Sequence, residues 1–489
     1  MSRRADSTTD PATGRGTALL VVVALGVFFA ADDQTSIVAV LPAIIPDIGI
    51  AIDDFYQSSW IVNGYLLGYL GALPLHGRVA DVYGRGHVFV MTLGIFVIGS
   101  VLVAVAPNFG WLVAARTVQA VGGGGVVPVA MAIVADELPA AKRAFGLGAI
   151  AAASESGALL GPLWGGAITE WFGWRWVFWV NVPLALPLMC FCWRLLRDRG
   201  HPGRIDWLGG ALLTAGLAVL TFALVDDPLE PRAIEATFAM LAASAALVAA
   251  FVWHEQRAQA SMIRLAMFRA RPVWSAHAAS VLVGGGLIAA LIGVPLFVNL
   301  VLGGSPLDGG LVLARLTAAV PVGALIGGWA AGRFGLRLTA VTGILLAAAG
   351  FAGLQAWSRE MSEALRAVPL LIGGFGFGLV IAPLGAAVLQ QAGEGERATA
   401  SAWLTMSRVL GMLIGTALLT SHGLGRFYAR ASNIEFGTPE FVRLVQEAQL
   451  STFREVFVAA VVVMLCAAVV AALIGRGRAA SGARGWLQG

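Results

Sequence analysis

Runs of about twenty apolar residues follow one another along almost the whole chain. The first is TALLVVVALGVFFAADDQTSIVAVLP (17–42). A helix of about 20 such residues crosses the hydrocarbon core of a bilayer. Inside lipid the backbone must satisfy its own hydrogen bonds, so continuous runs of this length fold as helices. Composition agrees: 58% of the 489 residues are hydrophobic and 12% charged, with a mean hydropathy of +0.81. A soluble domain carries about a quarter charged residues. The expectation is an all-α polytopic membrane protein. Cys190, Cys192 and Cys466 lie in apolar runs, with no spacing for a disulfide framework or a metal. The first apolar segment runs on past two aspartates to Pro42, too far for a cleaved signal peptide.

About fourteen spans are read, near 17–44, 57–76, 88–106, 109–135, 144–169, 175–196, 206–225, 234–253, 275–302, 308–332, 338–357, 367–390, 398–422 and 455–475. With the N-terminus in the cytoplasm, the inner segments hold 21 Lys and Arg and the outer loops 8, with three more inside spans. That bias predicts both termini on the cytoplasmic side. The inner loop RLLRDRGHPGR (194–204) is the most basic, and the segment 423–454 is the longest outer loop. In that loop, Thr438 and Pro439 read as the start of a short amphipathic helix.

The chain repeats at an offset of about 250 residues. Arg143, Ala144, Gly157 and Gly161 recur as Arg397, Ala398, Gly411 and Gly415. Gly77 and Gly84 of GRVADVYGR are answered by Gly328 and Gly335 of GWAAGRFGL. Two six-span halves with two spans inserted between them produce this offset. The expected organisation is an N-terminal tail (1–16), a first bundle (17–197), two linker helices (198–272), a second bundle (273–476, including 423–454) and a C-terminal tail (477–489). Parallel repeats around a central site are a transporter architecture.

These motifs carry a resemblance. GRVADVYGRGH is similar to the signature loop of the major facilitator superfamily, RTVQAVGGGG (116–125) to its fourth-helix motif and GALLGPLWGG (157–166) to its fifth-helix antiporter motif. DQTSIVAVLP, WFGWRWVFWVNVP (171–183) and IDWLGG (205–210) resemble the fourteen-helix drug:proton antiporter branch. Glu155 and the long outer segment before the last span resemble the mycobacterial lipid (triacylglyceride) exporter branch. The resemblance implies a gate formed by Gly77, Asp81, Gly84 and Arg85, where the second copy has Gly332 in place of the acid. It also implies a seal between the halves on span 5. Gly157, Gly161, Gly165 and Gly166 share one face there, with Pro162 bending the helix and Gly411 and Gly415 as counterparts. The run Gly122 to Gly125 lacks the Lys-Ser/Thr of a phosphate loop.

Charges inside the bilayer are costly and so point to function. Asp33 aligns with the first-helix acid of the family and is the expected proton site. Arg116 lies at a comparable depth, and Glu155 and Arg408 fall near the midplane of spans 5 and 13. A static ion pair, Asp33 with Arg116 or Glu155 with Arg408, is the rival reading. Asp32 points about 100° away on the same helix and is expected to bond Thr35 or Ser36. Gln119, one turn from Arg116, and Arg315, facing either the cavity or the outer interface, complete the set. The expected function is proton-coupled export of hydrophobic or amphipathic molecules by two rocking bundles, with a lipid exporter as the alternative. An uptake symporter, a membrane enzyme and a transporter-like receptor are further readings, although the six histidines are too scattered for an enzyme site. No catalytic residue, cofactor, metal or nucleic acid is expected. The proton gradient is the driving force, and the expected setting is a monomer in a bacterial cytoplasmic membrane.

Overall fold

Pro11 opens a helix that does not end until Asp47, and the rest of the chain follows suit. The computed structural model describes residues 11–50, 55–138, 140–195, 205–227, 231–258, 262, 265–358, 361–391, 397–432 and 440–475. Their α-helices are α1 Pro11–Asp47, α2 Ser59–Tyr83, α3 Arg85–Ala104, α4 Phe109–Glu137, α5 Ala140–Phe172, α6 Arg175–Trp179, α7 Asn181–Leu195 and α8 Trp207–Leu224. After these come α9 Ile234–Glu255, α10 Arg271–Leu300, α11 Pro306–Phe334, α12 Leu336–Leu354, α13 Glu363–Leu389, α14 Arg397–Ala431 and α15 Phe441–Ala471. No strand occurs among the described residues. Prolines sit inside many of these helices, Pro42, Pro74, Pro162 and Pro383 among them. Packed neighbours make that tolerable in a membrane. Polar residues close several helix starts: Asn108 accepts from the Trp111 amide, Asp206 from Gly209, and Ser305 with Asp308 forms a capping box.

Among the described residues, twelve spans are long and apolar enough to cross a membrane, α6 and α7 counting as one. The two expected spans missing from that set are α2 and α5. They have 25 and 33 residues, about 37 and 50 Å at 1.5 Å per residue. In α2 the apolarity is diluted by Asn63, His76, Arg78 and Asp81, whereas α5 is described only in part.

Two expected loops are not loops. α2 runs through Gly77 and Asp81 to Tyr83, and only Gly84 separates it from α3. Gly84 turns the chain with φ 91°, and Gly335 does the same between α11 and α12 with φ 95°, a conformation open to glycine at no steric cost. At the other end of the molecule the expected outer loop is largely helical. α14 continues to Ala431 and α15 begins at Phe441. Their 35 and 31 residues give about 52 and 46 Å, well beyond the 30 Å core. Polar clasps hold the extension together: Glu455 of α15 accepts from Arg426 at 2.8 Å and also from Arg430, which reaches Thr452 at 3.0 Å. Thr438 and Pro439 lie outside the described residues.

The helix packing is itself repeated. α1 packs on α5 as α10 packs on α14; α4 packs on α2 and α3 as α13 packs on α11 and α12; α7 lies on α3 as α15 lies on α12. Between the sets, α5 meets α11 and α2 meets α14. α8 lies against α2 and α14 and carries α9 on its far side. The run Gly122 to Gly125 allows α4 to touch two neighbours at once. A Cβ on Gly122 would lie 2.3 Å from the Phe96 nitrogen of α3, and one on Gly124 2.9 Å from the Tyr69 oxygen of α2.

Candidate functional site

A cavity of about 370 Å³ lies at mid-depth between the two sets of helices. Its walls come from α1, α2, α4 and α5 on one side and α10, α11, α13 and α14 on the other. Val127 and Met131 near the end of α4, Leu384 and Gly385 near the end of α13, and Leu404 near the start of α14 all line it. The cavity therefore extends toward the end of the molecule where α1 begins. At the opposite end the sets touch: a Cβ on Gly166 would meet the Pro306 oxygen at 2.9 Å, and one on Gly310 the Pro162 oxygen at 2.5 Å. The lining is mostly apolar. Arg408 is the charged residue in it, half-buried, and it has no ion-pair partner among the described residues.

Beyond the blind end of this cavity lies a fully buried ion pair. Arg116 of α4 donates from Nη1 to Asp33 Oδ2 of α1 at 2.9 Å, and both side chains are 0% exposed. Two amides serve the other carboxylate oxygen: Gln119 Nε2 at 2.9 Å and Asn181 Nδ2 at 2.8 Å. Both amides also donate to Ser100 Oγ, at 2.8 and 3.2 Å. Arg116 donates as well to Gln119 Oε1 at 2.6 Å, and its guanidinium lies 4.3 Å over the Tyr65 ring. Three helices, α1, α4 and α7, thus meet on one carboxylate, with α2 and α3 adding Tyr65 and Ser100 around it. An isolated charge there would be prohibitive, whereas a paired and hydrogen-bonded one is sustainable.

Residues 23–416 match the description of the Major Facilitator Superfamily. The chain belongs to that superfamily. It is 38% identical over 432 residues to a triacylglyceride transporter of Mycolicibacterium hassiacum, covering 85% of this chain and 80% of that protein. It is 35% identical over 482 residues to a triacylglyceride transporter of Mycobacterium tuberculosis, covering 92% and 93%. In structure it resembles a bacterial homologue of the human lysosomal transporter Spinster in an inward-facing, unoccupied conformation. There the TM-score is 0.65 and the identity 17%, over 94% of this chain and 97% of that one. A human organic anion transporter is a further neighbour, with TM-score 0.53, 18% identity and coverage of 92% and 99%. The protein is a polytopic membrane transporter of this superfamily and not an enzyme.

Of the residues expected to work together in this superfamily member, Asp33, Arg116 and Gln119 share one cluster, while Arg408 lines the cavity apart from it. The side chains of Glu155 and Asp81 fall outside the described residues. Asp32 is buried beside α5, but Thr35 and Ser36 do not bond its carboxylate. Thr35 donates toward the backbone oxygens of Asp32 and Ala158, and Ser36 toward that of Asp33. A helical hydroxyl reaches the carbonyl three or four residues back more readily than a side chain pointing outward. Arg315 does not face the cavity; its guanidinium binds Glu363 at 2.7 Å at the rim of α11 and α13. In the gate, Arg85 donates to the Ala132 oxygen at 2.9 Å, tying α3 to α4. A Cβ on Gly77 would meet nothing within 4 Å, so no helix packs closely on that glycine in this conformation.

The span-5 glycines divide their labour. A Cβ on Gly157 would lie 2.2 Å from the Phe28 oxygen, one on Gly161 2.5 Å from the Asp32 oxygen and one on Gly165 2.8 Å from the Ser36 oxygen, all on α1 within the same half. Gly166 and Pro162 alone of this group face α11. The expected seal between the halves is thus mainly a seal of α5 onto α1, and Gly411 and Gly415 do the same for α14 on α10.

Asn181, Ser100 and Tyr65 escaped the sequence reading. Asn181 stood inside a quoted motif, and an amide in an apolar span two residues before a proline was the available signal. Pro183 has no N–H for the Trp179 carbonyl, and the helix divides at Val180, placing Asn181 at the start of α7. Ser100 and Tyr65 carried no signal beyond being polar in apolar surroundings.

Proposed function

We propose that this superfamily member exports a triacylglyceride-type lipid across a bacterial cytoplasmic membrane in exchange for protons. The observation that carries the lipid reading is the 35–38% identity, over most of both chains, to proteins named triacylglyceride transporters. The cavity is compatible with such a cargo. Its apolar walls suit acyl chains, and Arg408 supplies a donor that ester carbonyls accept. With both termini in the cytoplasm, as the Lys/Arg distribution predicts, the cavity opens inward and the α5–α11 contact closes the outer side. Rocking of the two halves about the cavity would open the other face.

Asp33 supplies the proton coupling in this reading. Arginine keeps its charge at any physiological pH, so protonating Asp33 removes one side of the pair and loosens α1, α4 and α7, which meet on it. Glu155 and Arg408 form the second charge set, with Glu155 protonation weakening an attraction across the two halves. The test is movement of a pyrene-labelled triacylglyceride in proteoliposomes with and without an imposed pH difference, run beside ethidium. Gradient-dependent movement of the lipid, lost in Asp33→Asn, is expected. Movement of ethidium without the lipid would replace the lipid reading with drug efflux, and full gradient-driven transport by Asp33→Asn would remove the proton role.

A further inference from the structure

A gap of about 10 Å³ separates Arg116 from the central cavity, roughly the space one water needs. Its polar walls are Gln34, Thr35, Tyr65 and Arg116, and it shares Gln34 and Thr35 with the cavity. Arg116 Nε and Nη2 and the Tyr65 hydroxyl are buried without a hydrogen-bond partner. Such orphaned groups are rare in folded proteins and point to a water. The Thr35 hydroxyl is committed to backbone carbonyls, Ala158 at 3.0 Å the nearest. Arg116 and Tyr65 are therefore the unpartnered groups a water here would serve, with Gln34 leading on to the cavity.

We propose that one water in this gap, held by Arg116 and Tyr65 and reached through Gln34, is the passage by which Asp33 exchanges its proton with the central cavity. This rests on Asp33 being the proton site. In the step, one O–H bond of a hydronium in the cavity breaks, leaving water, and one O–H bond forms on the Asp33 carboxylate. Tyr65 gives up its hydroxyl proton and takes another, ending unchanged. Two features fit the passage to alternating access. Gly123 leaves room for the hydroxyl, since a Cβ there would lie 2.8 Å from it. The apolar roof, Ile288 and Leu291 of α10 with Met412 of α14, comes from the other half, so rocking of the halves would move it off Arg116.

Other groups that titrate or carry charge nearby are few. Asp32 adjoins Asp33 on α1, Tyr69 stacks on Tyr65 on α2 and Arg408 of α14 lies in the cavity. α3 and α7 contribute the neutral Ser100 and Asn181, and α10 contributes only apolar residues to the gap. The side chain of Glu155 on α5 is outside the described residues.

The experiment is a pH jump on the reconstituted full-length protein, followed by infrared absorption of the protonated carboxyl. The Asp33 band is the one missing in Asp33→Asn. Tyr65→Phe keeps the ring under the guanidinium and removes one oxygen; Gln34→Leu keeps bulk and removes the amide. Each is expected to slow the band about tenfold or more with its final amplitude unchanged, and the double variant to slow it further. Wild-type rates in the double variant would overturn the passage. If that variant fails to fold, Tyr65→Phe alone decides by the same criterion. Absence of any Asp33-dependent band would instead remove the assignment of Asp33 as the proton site, a result distinguishable from the first.

Discussion

At the scale of single residues, Asp33 and Arg116 are unequal partners. A buried pair that loses one member leaves an uncompensated charge, which costs about 3–5 kcal/mol. Asp33 can shed its charge by taking a proton; Arg116 cannot. Arg116→Ala is expected to be milder than that range at low pH, where Asp33 is neutral, and to approach it as pH rises. Thermal unfolding in detergent across a pH series checks this. A destabilisation that does not change with pH would mean that Asp33 keeps one protonation state throughout. Asn181→Ala removes one of three donors to the carboxylate and leaves the ion pair in place. It should cost about 1–3 kcal/mol, the range for an unmade buried hydrogen bond, and so fall below Arg116→Ala at neutral pH in the same assay.

At the scale of helices, glycine decides how closely the bundle closes. A Cβ on Gly411 would lie 1.8 Å from the Val281 oxygen, a backbone atom that cannot swing aside, while one on Gly77 meets open space. Gly411→Ala must therefore part α14 from α10, and overpacking of this kind costs about 1–3 kcal/mol or more. Gly77→Ala should leave stability as it was. Paired melting curves check both, and equal losses would contradict the packing described. A normal melt with reduced transport in Gly77→Ala would place the role of Gly77 in the opposite conformation, where the near ends of α2 and α11 close. These contacts also mark what the sequence could tell. Glycine spacing exposed the repeat, and the repeat set the two halves and their equivalent spans. It did not tell which helix each glycine faces, because a four-residue spacing sets a shared face and not its partner. The helical extensions of α14 and α15 were hidden for a related reason. Polar clasps of Arg426, Arg430 and Glu455 join them beside a few packed apolar residues such as Leu450 and Phe453, too sparse a set for hydropathy to mark as a span.

At the scale of the whole molecule, the class was legible because lipid permits so few folds, and the charged residues of the site were legible because charge is rare there. The neutral partners were not, since Ser100, Tyr65 and Asn181 look like ordinary polar residues until five helices bring them to one point. Span number is the place where the two lines of reasoning separate. Among the described residues apolarity supports twelve crossings, and packing adds α2 and the partly described α5 as two more, since each is wedged between apolar helices. The two counts place different residues outside. If α2 crosses, Tyr83 lies on the cytoplasmic side with Gln256; if it does not, Tyr83 stays outside. If α5 crosses, Glu170 lies outside with Ser432, which five helices, α10 to α14, separate from Gln256. All four residues are exposed. Single cysteines at these positions, in a background lacking Cys190, Cys192 and Cys466, should divide two and two toward a membrane-impermeant maleimide on intact cells. Glu170→Cys and Ser432→Cys should react at once, and Tyr83→Cys and Gln256→Cys only after permeabilisation. Labelling of Tyr83→Cys from outside would remove α2 from the membrane and, with it, a helix that supplies Tyr65 to the Arg116 cluster.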